Sequence, residues 1–190
     1  MSAGTTGTPP RVAAVDRVLL LGLMGAGKTT VGRVLAAQLG WPYADNDDLV
    51  VDATGASKET LLQRAGVVAL REAESAALHL AATRPGPLVA GVAAGVVLDP
   101  GDVAVLAGVD LVVWLRATHE VLAARVDADP ADRPWLDGDT LSAVRRLAAD
   151  REPRFAEVAD LVVDVDTRSP EQTADLIAEV ATRRSTDGPR

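Results

Sequence analysis

The chain has 190 residues, a formal net charge of −8 at pH 7 and 48% hydrophobic residues, enough apolar material to fill one core in a single α/β domain. It has no cysteine, which excludes disulfides and thiol chemistry, and its two histidines, His79 and His119, have no partner histidine nearby, which argues against an imidazole metal site. The acidic balance argues against nucleic acid or an anionic membrane surface as a partner, since either needs a basic stripe.

Residues 1–15, rich in Gly, Thr and Pro, read as a flexible N-terminal tail. No leader-type apolar segment and no 18-residue apolar run occurs, so the expected location is cytoplasmic. The first expected strand is 18–21, followed by a glycine-rich turn and a helix at 29–39 that Gly40 stops. A strand at 41–44 leads to an acidic cluster, then to helices at 57–64 and 67–82 and a strand at 88–92. A strand at 111–115 and a helix at 118–126 come next. They are followed by a polar, Pro/Gly-punctuated insertion at 127–138 that has the character of a mobile lid. The series closes with a helix at 140–150, a strand at 161–165 and a helix at 170–183. That last helix has Ser169 as N-cap, Pro170 at the first position and Gln172 completing a capping box. Residues 184–190 read as a C-terminal tail. Strands apolar on both faces, alternating with helices, predict a five-stranded parallel sheet with helices on both faces. This is a three-layer α/β fold spanning residues 16–183, with ligands at the carboxyl ends of the strands.

The run Gly22-Leu23-Met24-Gly25-Ala26-Gly27-Lys28-Thr29-Thr30 has the phosphate-loop spacing, Gly, four residues, Gly-Lys-Thr, between a strand and a helix. Its glycines let backbone N–H groups turn in around a polyphosphate, and the helix that follows adds the positive end of its dipole. Lys28 is placed for the β/γ-phosphates and the Thr29 hydroxyl for Mg²⁺, so ATP and Mg²⁺ are the expected cofactors. Asp45-Asn46-Asp47-Asp48 follows the second strand at the same edge of the sheet. Carboxylates two residues apart there can face one Mg²⁺ or orient a hydroxyl for attack on a γ-phosphate. They can equally be turn residues that cap the next helix. Arg71 and Glu74, at i and i+3 on a helix, have the spacing of an ordinary surface pair, while Arg133 in the lid can neutralise charge in transfer. Lys28 and Lys58 are the only lysines.

From about Arg17 to about Arg183 these positions resemble the shikimate kinase family, small P-loop kinases of the nucleoside-monophosphate-kinase type. The resemblance rests on Gly22–Thr30 with Gly32 and Leu35-Ala36, on Asp45-x-Asp47, Thr54-Gly55-x-Ser57, Leu70-Arg71 with Glu74, and Arg133-Pro134. It continues through Arg151 with Pro153-x-Phe155-x-Glu157-x-Ala159-Asp160, and Val163-Asp164. It implies that Gly22, Gly25, Ala26, Gly27, Lys28, Thr29 and Thr30 hold ATP and that Arg125 and Pro170 flank the adenine. Asp45 supports the Mg²⁺ shell with Thr29, and Asp47 binds the acceptor hydroxyls. Arg71 and Arg151 hold the acceptor's carboxylate, and Ala94 and Gly95 line its site. The implied chemistry is in-line γ-phosphoryl transfer to a small hydroxy acid, with Lys28, Asp47 and Arg133 as the catalytic groups, in an expected monomer.

Several positions depart from the family's pattern. Ala93-Ala94-Gly95 stands where the family has three glycines, and if a lost glycine needs φ > 0 an alanine there costs about 1 kcal/mol. Val51, Val67 and Leu70 replace two acidic residues and a phenylalanine on the acceptor side. Two other readings therefore stand beside a kinase of shikimate. One is a kinase of another polyol acid such as gluconate, which Asp132-Arg133-Pro134-Trp135-Leu136 resembles, although that family's His after the Asp pair is missing. The other is a non-catalytic nucleotide-binding switch, against which the joint presence of Asp45, Asp47, Arg71, Arg133 and Arg151 speaks.

Overall fold

A computed structural model describes residues 15–128 and 139–187; of the expected lid at 127–138, the first two residues are helical and the rest, Arg133 included, lies outside the described residues. Five strands, β1 (Arg17–Leu21), β2 (Tyr43–Ala44), β3 (Leu88–Gly91), β4 (Leu111–Arg116) and β5 (Leu161–Asp164), form one sheet in the order β2-β3-β1-β4-β5. Every pairing is parallel. The central strand β1 is buried along its whole length, which is why Val18–Leu21 is an apolar run without alternation, and the one charge in it, Arg17, donates to the carbonyls of Ala81, Arg84 and Gly86.

Among the described residues seven α-helices complete the layers: α1 (Lys28–Leu39), α2 (Asn46–Thr54), α3 (Lys58–Thr83), α4 (Pro100–Leu106), α5 (His119–Ala128), α6 (Thr140–Val158) and α7 (Pro170–Asp187). Helix α1 packs on β1, β2 and β3 and against α7, while α6 packs on β4. The core between them includes Leu35, Leu78, Phe155 and Ile177, none with exposed surface. Phe155 tilts at 52° against Trp114 with ring centroids 5.6 Å apart, a geometry worth about 0.5–1.5 kcal/mol beyond its buried area.

The strands and most helices lie where the sequence predicts them, with informative differences. The acidic cluster opens a helix, α2, because Asp45 caps it and Gly55 ends it in the left-handed conformation. Pro100–Leu106 form α4, with Asp99 as N-cap and Pro100 in the first turn. The expected helices at 57–64 and 67–82 are two arms of α3, broken at Gly66, whose φ of 77° and ψ of −172° leave the helix. Helix α6 does not stop at residue 150. It passes through Pro153 to Val158, so Arg151 sits inside a helix and is buried with Phe155. The capping box at α7 is present in both directions: the Gln172 N–H donates to Ser169 Oγ and the Ser169 N–H to Gln172 Oε1. That helix runs on to Asp187, and Arg184 on it donates to the Asp110 carbonyl.

Candidate active site

The phosphate loop turns from β1 into α1 at the point where the chain leaves the central strand, the position at which α/β sheets collect ligands. Two of its glycines lie against the β4–α5 segment. A Cβ on Gly22 would come within 2.7 Å of the Leu115 carbonyl oxygen, and one on Gly25 within 2.8 Å of that of Leu122. Gly27 precedes α1 and offers it no side-chain cap, so the first-turn N–H groups remain available to an anion. Lys28 Nζ donates to the Gly22 and Leu23 carbonyls at 2.8 and 3.3 Å, which folds the ammonium into the loop it serves. Burial pulls its pKa down to about 8, against the attraction of Asp45.

Facing this loop, Asp45 Oδ2 accepts from Thr29 Oγ1 at 2.6 Å and from the Tyr43 hydroxyl at 3.0 Å. Burial works to raise the Asp45 pKa. The hydrogen bonds from Thr29, Tyr43 and the Asp47 N–H, with the Lys28 charge, outweigh it and hold the carboxyl below its usual range. Burial and the neighbouring Asp45 charge push the Tyr43 phenol up, so it stays a donor. The Tyr43 ring lies in a slot of missing side chains: a Cβ on Gly32 would fall 2.2 Å from its Cε2, and one on Gly91 would fall 3.0 Å from its hydroxyl. Asp45 is thus both a helix cap and a neighbour of the Thr29 hydroxyl, an arrangement compatible with either reading of the acidic cluster. Two residues on, Asp47 Oδ1 is 2.5 Å from Lys58 Nζ, with the lysine largely sheltered and the aspartate exposed.

The expected acceptor-side residues gather across the cleft. Arg71 Nη1 pairs with the buried Glu74 at 2.6 Å, and the guanidinium passes directly over Gly95, where a Cβ would lie 2.1 Å from Nη1. The cavity beside them has a volume of about 480 Å³ and is also lined by Ser75, Leu98 and Asp102. Arg151 is 7% exposed, and its Nε is the one buried side-chain polar atom among the described residues with no hydrogen-bond partner. Burial, and then the like charge of Arg71, lower its pKa from the usual guanidinium value. Two cations converge here, one of them desolvated and short of an acceptor. Ala93 is buried and Ala94 half-buried, and no described residue other than glycine has positive φ, so neither alanine is strained. The one glycine of that run whose missing side chain the structure uses is Gly95.

Arg125 donates to the Gly25 carbonyl at 3.3 Å and to that of Val165 at 2.9 Å, tying the phosphate loop to the segment that leads into Pro170 at the start of α7. Arg133 lies outside the described residues. Tyr43 and Lys58 are members of the site that motif reading passes over. The signals available were an aromatic two residues before Asp45 and a lysine in a chain that otherwise uses arginine.

Residues 24–182 match the sequence profile of the shikimate kinase family. A shikimate kinase from Stenotrophomonas maltophilia strain K279a is 37% identical over 168 residues, which cover 87% of this chain and 92% of the relative. This chain belongs to the shikimate kinase family. A family member from Nitratidesulfovibrio vulgaris is 40% identical over 155 residues, covering 80% of this chain and 88% of its own. The solved shikimate kinase from Acinetobacter baumannii in complex with shikimate matches at a TM-score of 0.80 and 29% identity, over 87% of this chain and 92% of that one. Membership of the shikimate kinase family makes the chain an ATP-dependent phosphotransferase that acts on a hydroxyl group.

Proposed function

We propose that the acceptor is shikimate, held by its carboxylate between Arg71 and Arg151, and that the γ-phosphate of ATP goes to one of its hydroxyls. The observation that carries this reading is the buried, unpartnered Nε of Arg151 beside a second guanidinium. Leaving a donor so placed unmade costs about 1–3 kcal/mol, which an incoming carboxylate recovers. The absence of strain at Ala93 and Ala94 supports this reading, since these alanines distort no backbone beside the acceptor.

In this reading Asp47 accepts the hydroxyl proton as the hydroxyl oxygen bonds to the γ-phosphorus and the bond to the bridging oxygen breaks, releasing ADP. Lys28 and the lid's Arg133 stabilise charge on the equatorial oxygens. Thr29 Oγ1 and Asp45 Oδ2 are hard oxygen donors beside the phosphate loop, and one or two such protein ligands, with phosphates and water, suit Mg²⁺. When bound, the ion neutralises phosphate charge. Arg125 and Pro170 flank the adenine, and Ala94 and Gly95 border the acceptor. No described helix is long and apolar enough to cross a membrane. A cytoplasmic location and a monomeric working unit belong to the proposal.

An ADP-release assay of the purified chain with shikimate, quinate and gluconate tests the assignment. Shikimate is expected to give the highest kcat/KM; turnover of gluconate with none of shikimate overturns it.

A further inference from the structure

The chain's two lysines, 30 positions apart, converge on one cleft. The proposed function uses Lys28 and gives Lys58 no role. Lys58 is the first residue of α3, whose N-cap is Ser57. A cation at that end opposes the helix dipole, and most surface positions would suit it better. Its side chain is nevertheless only 24% exposed, with Nζ 2.5 Å from Asp47 Oδ1. Its charge is also felt at Lys28, where it lowers that lysine's pKa.

The arrangement divides two carboxylates that stand two residues apart. Asp45 turns to Thr29 and Tyr43, on the side of the phosphate loop. Asp47, 64% exposed, has Lys58 as its charged partner, on the other arm of the α2–α3 corner. Besides the ammonium, Asp47 Oδ1 accepts from the neighbouring Asn46 Nδ2 at 3.4 Å, a long bond that restrains the exposed carboxylate little, so without Lys58 it can turn toward Asp45. A lysine suits the task better than an arginine network would, because it is a compact charge on a flexible stem and leaves the second carboxylate oxygen open.

We propose that Lys58 is a positioning residue for the acceptor: it holds the Asp47 carboxylate on the acceptor side of the cleft, apart from the carboxylate of Asp45. This rests on the reading that the acceptor hydroxyl meets Asp47 and its carboxylate meets Arg151. Lys58 needs no contact with the acceptor itself.

The test uses the full chain and three variants, Lys58→Met, Lys58→Arg and Arg151→Met, with shikimate binding measured by titration calorimetry in the absence of nucleotide. Steady-state constants and thermal melting are measured alongside. In Lys58→Met the shikimate Kd and KM rise on the order of tenfold, while KM for ATP stays within about twofold and the melting temperature within about 2 °C. Lys58→Arg, which keeps the charge, stays within about threefold of the parent. If Arg151→Met loses shikimate while Lys58→Met binds it as well as the parent or more tightly, Lys58 is a bystander or a competitor and the inference fails alone. Equal losses in Lys58→Met and Lys58→Arg overturn it too. Unchanged shikimate binding in all three variants defeats the underlying placement of the acceptor.

Discussion

Gly95→Ala separates acceptor recognition from folding with a single methyl group. Gly95 has φ −82° and ψ −16°, a conformation any residue adopts, so alanine brings no backbone strain. The added Cβ would lie 2.1 Å from Arg71 Nη1 and 2.9 Å from its Cζ, so the guanidinium must move by roughly 1 Å or more to reach ordinary contact. That movement costs the fold little, because the Arg71 side chain is 43% exposed and flexible and the new alanine restricts the unfolded chain. A change in stability below about 0.5 kcal/mol is expected. For the acceptor the effect is large: a charge-assisted hydrogen bond is worth about 1.5–3 kcal/mol, and losing one through misplacement raises KM for shikimate roughly tenfold to a hundredfold. The phosphate loop is untouched, so KM for ATP stays within about twofold. Steady-state kinetics with both substrates varied, together with a melting curve, decide the matter. An unchanged KM for shikimate would show that Arg71 does not bind the acceptor from this position, and a joint loss of ATP binding would show that the cleft had collapsed.

Since burial pulls the Lys28 pKa down to about 8, a triphosphate that restores its full charge takes up about half a proton per site at pH 8 and about 0.1 at pH 7. Calorimetry in buffers of different ionisation enthalpy measures this, and zero uptake at pH 8 refutes a desolvated lysine. Lys28→Met is expected to abolish turnover without loss of the circular dichroism signal, because the group serves the nucleotide; wild-type-like turnover would sink that role. Arg133→Ala should lower kcat by about two orders of magnitude with little change in melting temperature, since the charge it meets develops in the transition state. A rise in KM for ATP alone would make it a binding residue. Ala93→Gly/Ala94→Gly, at two unstrained positions, should cost about 1–2 kcal/mol of stability through a freer unfolded chain and change kcat/KM for shikimate by less than about threefold. A tenfold gain would mean that the methyl groups obstruct the acceptor.

Local chemistry made the nucleotide half of the site readable before any coordinates. The phosphate loop is contiguous, its strand is an apolar run and its helix ends at a glycine, so pattern and structure coincide. The capping box at Ser169 and Gln172 is likewise an interaction over three residues. Helix α2 was hidden because Asp, Asn and Asp favour turns as strongly as they favour helix starts, and nine residues give little periodicity to weigh against that. Pro153 hid the second half of α6, where packing of Phe155 on Trp114 helps offset a missing backbone donor. The acceptor half is tertiary in origin. Nothing in the order of residues shows that Arg71 crosses Gly95, that Arg151 is buried without a partner for Nε, or that Lys58 reaches back to Asp47.

The slot that holds Tyr43 constrains the order in which this lineage can accept substitutions. Three positions on three different elements, 32, 43 and 91, share one volume, so what one accepts depends on what the others hold. An alanine arriving first at position 32 pushes the ring away, and with it goes one of the two hydroxyls that donate to Asp45 Oδ2, leaving that of Thr29. A smaller residue arriving first at position 43 leaves a gap, and that gap is what makes the alanine tolerable afterwards. Bulk has to leave the slot before it can enter from the other side. Descendants of this sequence should therefore carry either the tyrosine with its two glycines or a smaller residue with alanine at position 32, with intermediates that have lost the tyrosine and not yet filled the space.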